Sequence, residues 1–265
     1  MECDIMRYGV CAGDRTENIK ISAEAGFDYI ESGFQFFANA DEKRLFEYYD
    51  ALNKYGIRCE AANCFMPGSL RVTCDTAKRS DIADFVERGM KNGARAGLKT
   101  VVFGSSGARS VKEGFDFRKA CLQLADFLGN IVSPIAENYG ITVVLEPLSR
   151  DETNIINTLN EAAMLSAFVG KDNIKVLADL YHMMNVGDTF ETLKSLAGAV
   201  SHSHISYPVG TNGKKRTYPK DVSEFDYKGF VSAAELAGCK TCSIEADCFD
   251  FEKEAPIACA ALKSL

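Results

Sequence analysis

Histidine is almost absent from this sequence: His182, His202 and His204 are the only three in 265 residues. Basic residues are also in the minority, with 30 Lys and Arg against 37 Asp and Glu and a net charge of -7. That deficit argues against a nucleic-acid partner, which calls for a basic face, and suits an enzyme acting on a small molecule. Long apolar runs are missing too. None approaches the roughly 20 residues of a membrane-spanning helix, and "MECDIMRYGV" has neither the apolar core nor the cleavage site of a secretory leader. A cytoplasmic protein with no membrane association is expected. Cys239 and Cys242 form a CxxC, but no second pair exists to complete a zinc ribbon. A redox CxxC would open a helix, whereas this one runs into the strand-like "KTCSIEA". The ten scattered cysteines are therefore expected to be reduced and structural. No GxGxxG follows the first strand-like run, which disfavours a doubly wound dinucleotide-binding sheet.

What is present is a rhythm. Short β-branched or apolar runs alternate with longer amphipathic segments along the whole chain. The runs fall at 6–11, 27–33, 57–65, 98–106, 141–147, 174–183, 200–207 and 240–248, each followed by a helical pattern. The third helix, "DIADFVERGMKNGARAG", ends in a glycine suited to a C-cap. Pro134 predicts a break, a kink or a helix start inside the long fourth segment. Strict alternation implies a parallel sheet, and eight units of about 33 residues imply closure into a (β/α)8 TIM barrel. With no linker or composition break, residues 1–265 read as a single domain.

In such barrels the active site lies at the C-terminal ends of the strands. Glu146 closes "TVVLE", Asp179 closes "KVLAD", His204 lies in "SHSHIS" and Glu245 closes "CSIE". Four consecutive strands thus bring Glu, Asp, His and Glu to one rim. One carboxylate there could cap a helix; three beside a histidine point to a divalent metal, since burying such charge otherwise costs too much. The mixed oxygen and nitrogen donors suit Mn²⁺, Mg²⁺ or Co²⁺ and admit Zn²⁺. His202, two residues back in the strand, faces the same way one layer deeper. It reads either as a satisfied core histidine or as a support for the ligand.

"VVLEPLSRDETNIINT", "VLADLYHMM", "SHSHIS" and "CSIEAD" together resemble the xylose-isomerase-like barrel superfamily of sugar isomerases and epimerases. The pattern is most similar to the ketose 3-epimerases of the D-tagatose and D-psicose type. The resemblance implies a metal held by Glu146, Asp179, His204 and Glu245. It further implies that Glu152, His182 and Arg216 contact the substrate, with Lys214 or Lys215 able to share the role of Arg216. It also suggests a dimer or tetramer.

These parts define a chemistry. A metal can stabilise an enediolate, while Glu146 and Glu245 remove a proton beside a carbonyl and return it from the other side. Epimerisation, aldose-ketose or hydroxypyruvate-type isomerisation and inosose-type dehydration can all start this way. "GKKR" in the seventh loop leaves a sugar phosphate open beside a free sugar. Three histidines are too few for the three-zinc cluster of the superfamily's apurinic-site endonucleases, and a non-catalytic sugar-binding barrel would have no need of the glutamate pair. Tyr8, Glu31, Phe34, Asn63 and Phe65, at the early strand ends, are expected to form an apolar substrate wall with a few polar contacts.

Overall fold

A computed structural model describes residues 6–209 and 216–265. Its eight strands are β1 (Arg7–Cys11), β2 (Tyr29–Gly33), β3 (Cys59–Asn63), β4 (Thr100–Phe103), β5 (Thr142–Leu145), β6 (Ile174–Asp179), β7 (Val200–Ile205) and β8 (Thr241–Ile244). All neighbours pair in parallel and β8 returns to β1, closing the barrel. The expected eight-unit barrel is therefore present, with every strand inside the range expected for it.

The sixth strand is shorter than expected. It stops at Asp179, because the Asp179 side chain accepts the backbone N–H of His182 at 2.9 Å and caps a helix over Leu180–Val186. His182 is therefore helical. Further short helices, Phe34–Asn39 and Ser106–Arg109 among them, add to the one-helix-per-strand pattern. Gly97 ends the helix Arg79–Ala96 as expected, at φ 101°, with its N–H turned back onto Ala94 and Gly93. The Pro134 segment continues through a π-helical turn at Leu128–Val132 into a helix at Ser133–Asn138. Pro134 falls in the first turn of that helix, directly after the π-helical turn that interrupts the ordinary bonding pattern ahead of it.

Two register shifts aim the interior. Val176 pairs with Val200 but Leu177 pairs with His202, so Ser201 is an extra residue in β7. Likewise Ile30 pairs with Cys59 and Glu31 with Ala61, leaving Glu60 extra in β3. Such bulges re-aim side chains at barrel rims. Here they leave His202 beside Leu177 and His204 beside Asp179, all facing inward. Val102, Val144 and Leu177 form a small apolar plug on one side of the lumen. The opposite side is polar, with the Tyr29 hydroxyl 3.0 Å from Ser243 and the Tyr29 ring packed over Gly9.

Phe34 and Phe65 correct an expectation. Both are fully buried, stacked edge-to-face at 4.8 Å, and they continue into Phe85, Phe103 and Phe127 between the sheet and its helices. Tyr8 also belongs to this outer core, since Gly9 and Cys11 take the inward positions of β1. Of the five residues expected to form the substrate wall, Glu31 and Asn63 alone reach the lumen. The single-letter types at the other three suited either face. Cys239 and Cys242 are free and buried, as expected of structural cysteines.

Candidate metal centre

The C-terminal ends of β5 to β8 gather one donor each. Glu146 and Glu245 follow directly on β5 and β8, Asp179 ends β6, and His204 is the penultimate residue of β7. One ligand atom from each of the four can be chosen so that all lie within 4.8 Å of one another. His204 Nδ1 is 3.0 Å from Glu245 Oε2, 3.4 Å from Glu146 Oε1 and 3.6 Å from Asp179 Oδ2. The imidazole is fully buried, and only Glu245 has appreciable side-chain exposure, 20%.

The back of the imidazole fixes its front. Glu31, buried and ionised, can only accept hydrogen bonds. His204 Nε2 lies 3.1 and 3.2 Å from its two oxygens, and His202 Nε2 lies 3.2 Å from Oε2. Both imidazoles must donate from Nε2. His202 Nδ1 then accepts from the Thr241 hydroxyl at 2.8 Å. For His204 this leaves an Nδ1 lone pair aimed at three carboxylates, an arrangement that holds only around a positive charge. Accordingly His204 Nδ1 and Glu146 Oε1 are both buried without a hydrogen-bond partner. Two orphaned donor atoms facing one point, with a carboxylate orienting the histidine from behind, fit a divalent cation.

Burial would lower the basicity of His204, but Glu31 and Glu245 raise it well above an ordinary imidazole, so with no cation in place the ring takes up a proton at Nδ1 and supplies the positive charge itself. Burial and the charge of Glu245 push the Glu146 carboxyl up. Asp179 and Glu245 are also penalised by burial, yet Arg216 together with the neighbouring histidines holds both below the usual carboxylate range. Burial of His202 keeps it neutral despite Glu31. Of the two readings of His202, the supporting one matches its place: it shares Glu31 with His204.

Among the residues expected to contact substrate, His182 is buried, and its Nδ1 accepts from the Ser149 backbone N–H at 3.1 Å. Its Nε2 therefore carries the proton and can donate. Arg216 is drawn into the cluster, donating to Asp179 Oδ2 and Glu245 Oε2 at 2.7 Å each, with Tyr181 beneath the guanidinium at 5.1 Å. Glu152 sits half-buried in the turn after β5, its N–H bonded to Ser149 O at 2.9 Å. Lys214 and Lys215 lie outside the described residues.

Three supports escaped the sequence reading. Glu31 was expected on the substrate wall, but it is the carboxylate that joins the two histidines; its charge inside "YIESG" was the available signal. Gly104 is glycine because a Cβ there would stand 2.2 Å from Glu146 Oε2. Arg109, 1% exposed, donates to the carbonyls of Phe103, Glu146 and Ile156 and so pins the end of β5 to the end of β4. Nothing in "GSSGARS" marks either role.

The sequence matches the family described as xylose isomerase-like TIM barrel over residues 19–265. The chain belongs to that family. It is 24% identical over 188 residues to D-psicose 3-epimerase of Agrobacterium fabrum, covering 69% of this chain and 64% of that protein. It is 28% identical over 113 residues to inosose isomerase of Bacillus velezensis, covering 40% of each. The matched segments thus span less than two thirds of either relative. The crystal structure of 3-keto-D-glucoside 4-epimerase from E. coli superposes with a TM-score of 0.79 at 18% identity, covering 98% of this chain and all of that one. That likeness is one of fold. These three proteins are named as epimerases or an isomerase.

Proposed function

We propose that this protein is a metal-dependent ketose 3-epimerase acting on a small sugar. The observation that carries the reading is the pair Glu146 and Glu245, from different strand ends, which converge on His204 Nδ1 at 3.4 and 3.0 Å. Glu146, Asp179, His204 and Glu245 would hold the cation; Mn²⁺, Mg²⁺ and Co²⁺ suit the three oxygens and one nitrogen. When bound it supplies Lewis-acid stabilisation of charge on a carbonyl oxygen.

The rest falls to the chain. A carbon-bound proton next to a carbonyl passes to one glutamate, and the other glutamate returns a proton to the opposite face, inverting that centre. Burial keeps both carboxylates in low dielectric, where a short proton transfer competes with loss to solvent. His182 Nε2–H and the Arg216 guanidinium supply donors for substrate oxygens, and Glu152 an acceptor. Return of the proton to the neighbouring carbon would give isomerisation from the same groups, so substrate pose decides the product.

A homo-oligomer is proposed with this activity. Phe117, Leu122, Met164 and Phe168 stand exposed on the adjoining helices Phe117–Phe127 and Leu159–Val169, an apolar face for a second copy to cover. The cytoplasm is the proposed setting; the nine described cysteines are all free, as a reducing compartment keeps them. No helix among the described residues is long and apolar enough to cross a membrane.

The test is chelator-stripped protein reloaded with Mn²⁺, Mg²⁺ or Co²⁺ and offered a panel of ketoses, with products resolved by chromatography. Metal-dependent interconversion of C3 epimers is expected. Glu146→Gln and Glu245→Gln should each lose at least about 10³-fold in kcat while the circular dichroism spectrum persists. Near-normal turnover in either variant defeats the two-carboxylate scheme.

A further inference from the structure

A cavity of about 520 Å³ opens at the C-terminal ends of β1, β2 and β3. Its volume lies within the range of small-molecule sites. Asp14, Gln35, Phe36, Asn39, Arg44 and Asn63 contribute to its lining. Asn63 belongs to both sites, because its Nδ2 also donates to Glu245 Oε1 at 3.2 Å. Asn63 thus stands at the boundary between the carboxylate cluster and this space.

The lining chemistry is specific. The Arg44 guanidinium is paired with Asp14, so the only two charged side chains of the lining cancel. A phosphate subsite would instead present uncompensated cationic donors. What remains is three primary amides and one aromatic ring. Gln35 spends its Nε2 on the Cys64 carbonyl at 2.9 Å, which leaves Oε1 to accept. Phe36 has Arg44 stacked on its ring at 5.5 Å. Amides for hydroxyls and an aromatic ring for the C–H surface match an uncharged sugar ring.

We infer that this cavity is a second sugar subsite, and that the preferred substrate is a keto sugar bearing a glycosidic substituent whose ring occupies it. This inference rests on the epimerase reading for the chemistry at the carboxylates, but not for the cavity itself.

Gly33 gives a clean probe. It lines the cavity, its φ of -77° and ψ of 126° are open to any residue, and a Cβ there meets nothing within 4 Å. Gly33→Phe fills the cavity without a packing clash at Cβ. Epimerisation of D-fructose and of 6-O-glucosyl-D-fructose would be compared in metal-loaded wild type and Gly33→Phe. In parallel, methyl α-D-glucopyranoside, which has no keto group, would be titrated calorimetrically into both proteins. The wild type should show kcat/KM at least tenfold higher for the glucosylated ketose, and Gly33→Phe should reduce that ratio at least tenfold. The glucoside should bind the wild type and not the variant. A wild-type preference for the free ketose, or a ratio untouched by Gly33→Phe, overturns the subsite. If the glucoside binds as described and neither ketose turns over, the subsite stands and the epimerase reading fails. If the ketoses turn over and the glucoside does not bind, the subsite fails alone.

Discussion

A single methyl group at Gly104 should separate function from stability in this protein. The backbone of Gly104 is outside the left-handed region, so alanine is conformationally allowed there. Its Cβ, however, would stand 2.2 Å from Glu146 Oε2 and 3.3 Å from Glu146 Cδ, while the next neighbour, Leu148 Cδ2, is at an ordinary 3.6 Å. Ordinary contact begins near 3.4 Å, so the carboxylate must retreat by about 1 Å. Because the clashing atom is the far end of a side chain, the fold yields at Glu146 and the sheet stays in place. The stability loss should fall at the low end of overpacking costs, about 1 kcal/mol. Function has no such slack. A displacement of about 1 Å in a reacting group can cost on the order of 10²-fold in rate. Gly104→Ala should therefore keep its melting temperature within a few degrees while losing about 10²-fold in kcat. Its affinity for a divalent cation, read by calorimetry, should weaken by about tenfold or more, since one of four donors is displaced. Wild-type metal affinity and turnover in a folded Gly104→Ala would refute the assignment of Glu146.

Other expectations follow from the same packing. Glu31→Gln replaces one of the two oxygens that accept from the histidines by an NH2 donor and removes the charge; metal affinity should drop about 10–100-fold, measured by competition with a chromophoric chelator, although Glu31 is not one of the four converging donors. Gly89→Ala is the counterpart of Gly104→Ala: its Cβ would lie 2.2 Å from the buried Phe34 ring, which Phe65 and Phe85 hold in place. Thermal unfolding should show a loss of about 1–3 kcal/mol despite the gain in helix propensity, with metal affinity per folded molecule retained. Glu60 is penalised by burial but lowered overall by Arg7 and Lys99, which bond it at 2.7 and 3.1 Å. A carboxyl depressed in the folded state adds stability above its unfolded pKa and loses it as pH falls through the folded value. Urea midpoints between pH 7 and 3 should thus fall less steeply in Glu60→Gln, by under about 1 kcal/mol given the exposure of the two cations.

Local chemistry made much of this protein legible in one dimension. Alternating strand and helix patterns are written in the periodicity of side chains, and parallel pairing with eight units leaves few topologies besides a closed barrel. Glu146, Asp179, His204 and Glu245 were readable because each charge breaks an apolar strand at its C-terminal end, and a charge there demands a partner. Long-range proximity was not readable. Glu31 comes from β2 and meets histidines more than 170 residues away only when the barrel closes. Gly104 and Arg109 act on Glu146 from the neighbouring strand end, and neither glycine nor arginine is unusual after a strand. Tyr8, Phe34 and Phe65 could have faced either side, and the direction was set by where the bulges and helices fell. The sequence by itself determined which strands exist and which of their ends carry charge. Tertiary structure alone decided which charges share a cavity, because closure of the sheet brings together groups that no local pattern relates.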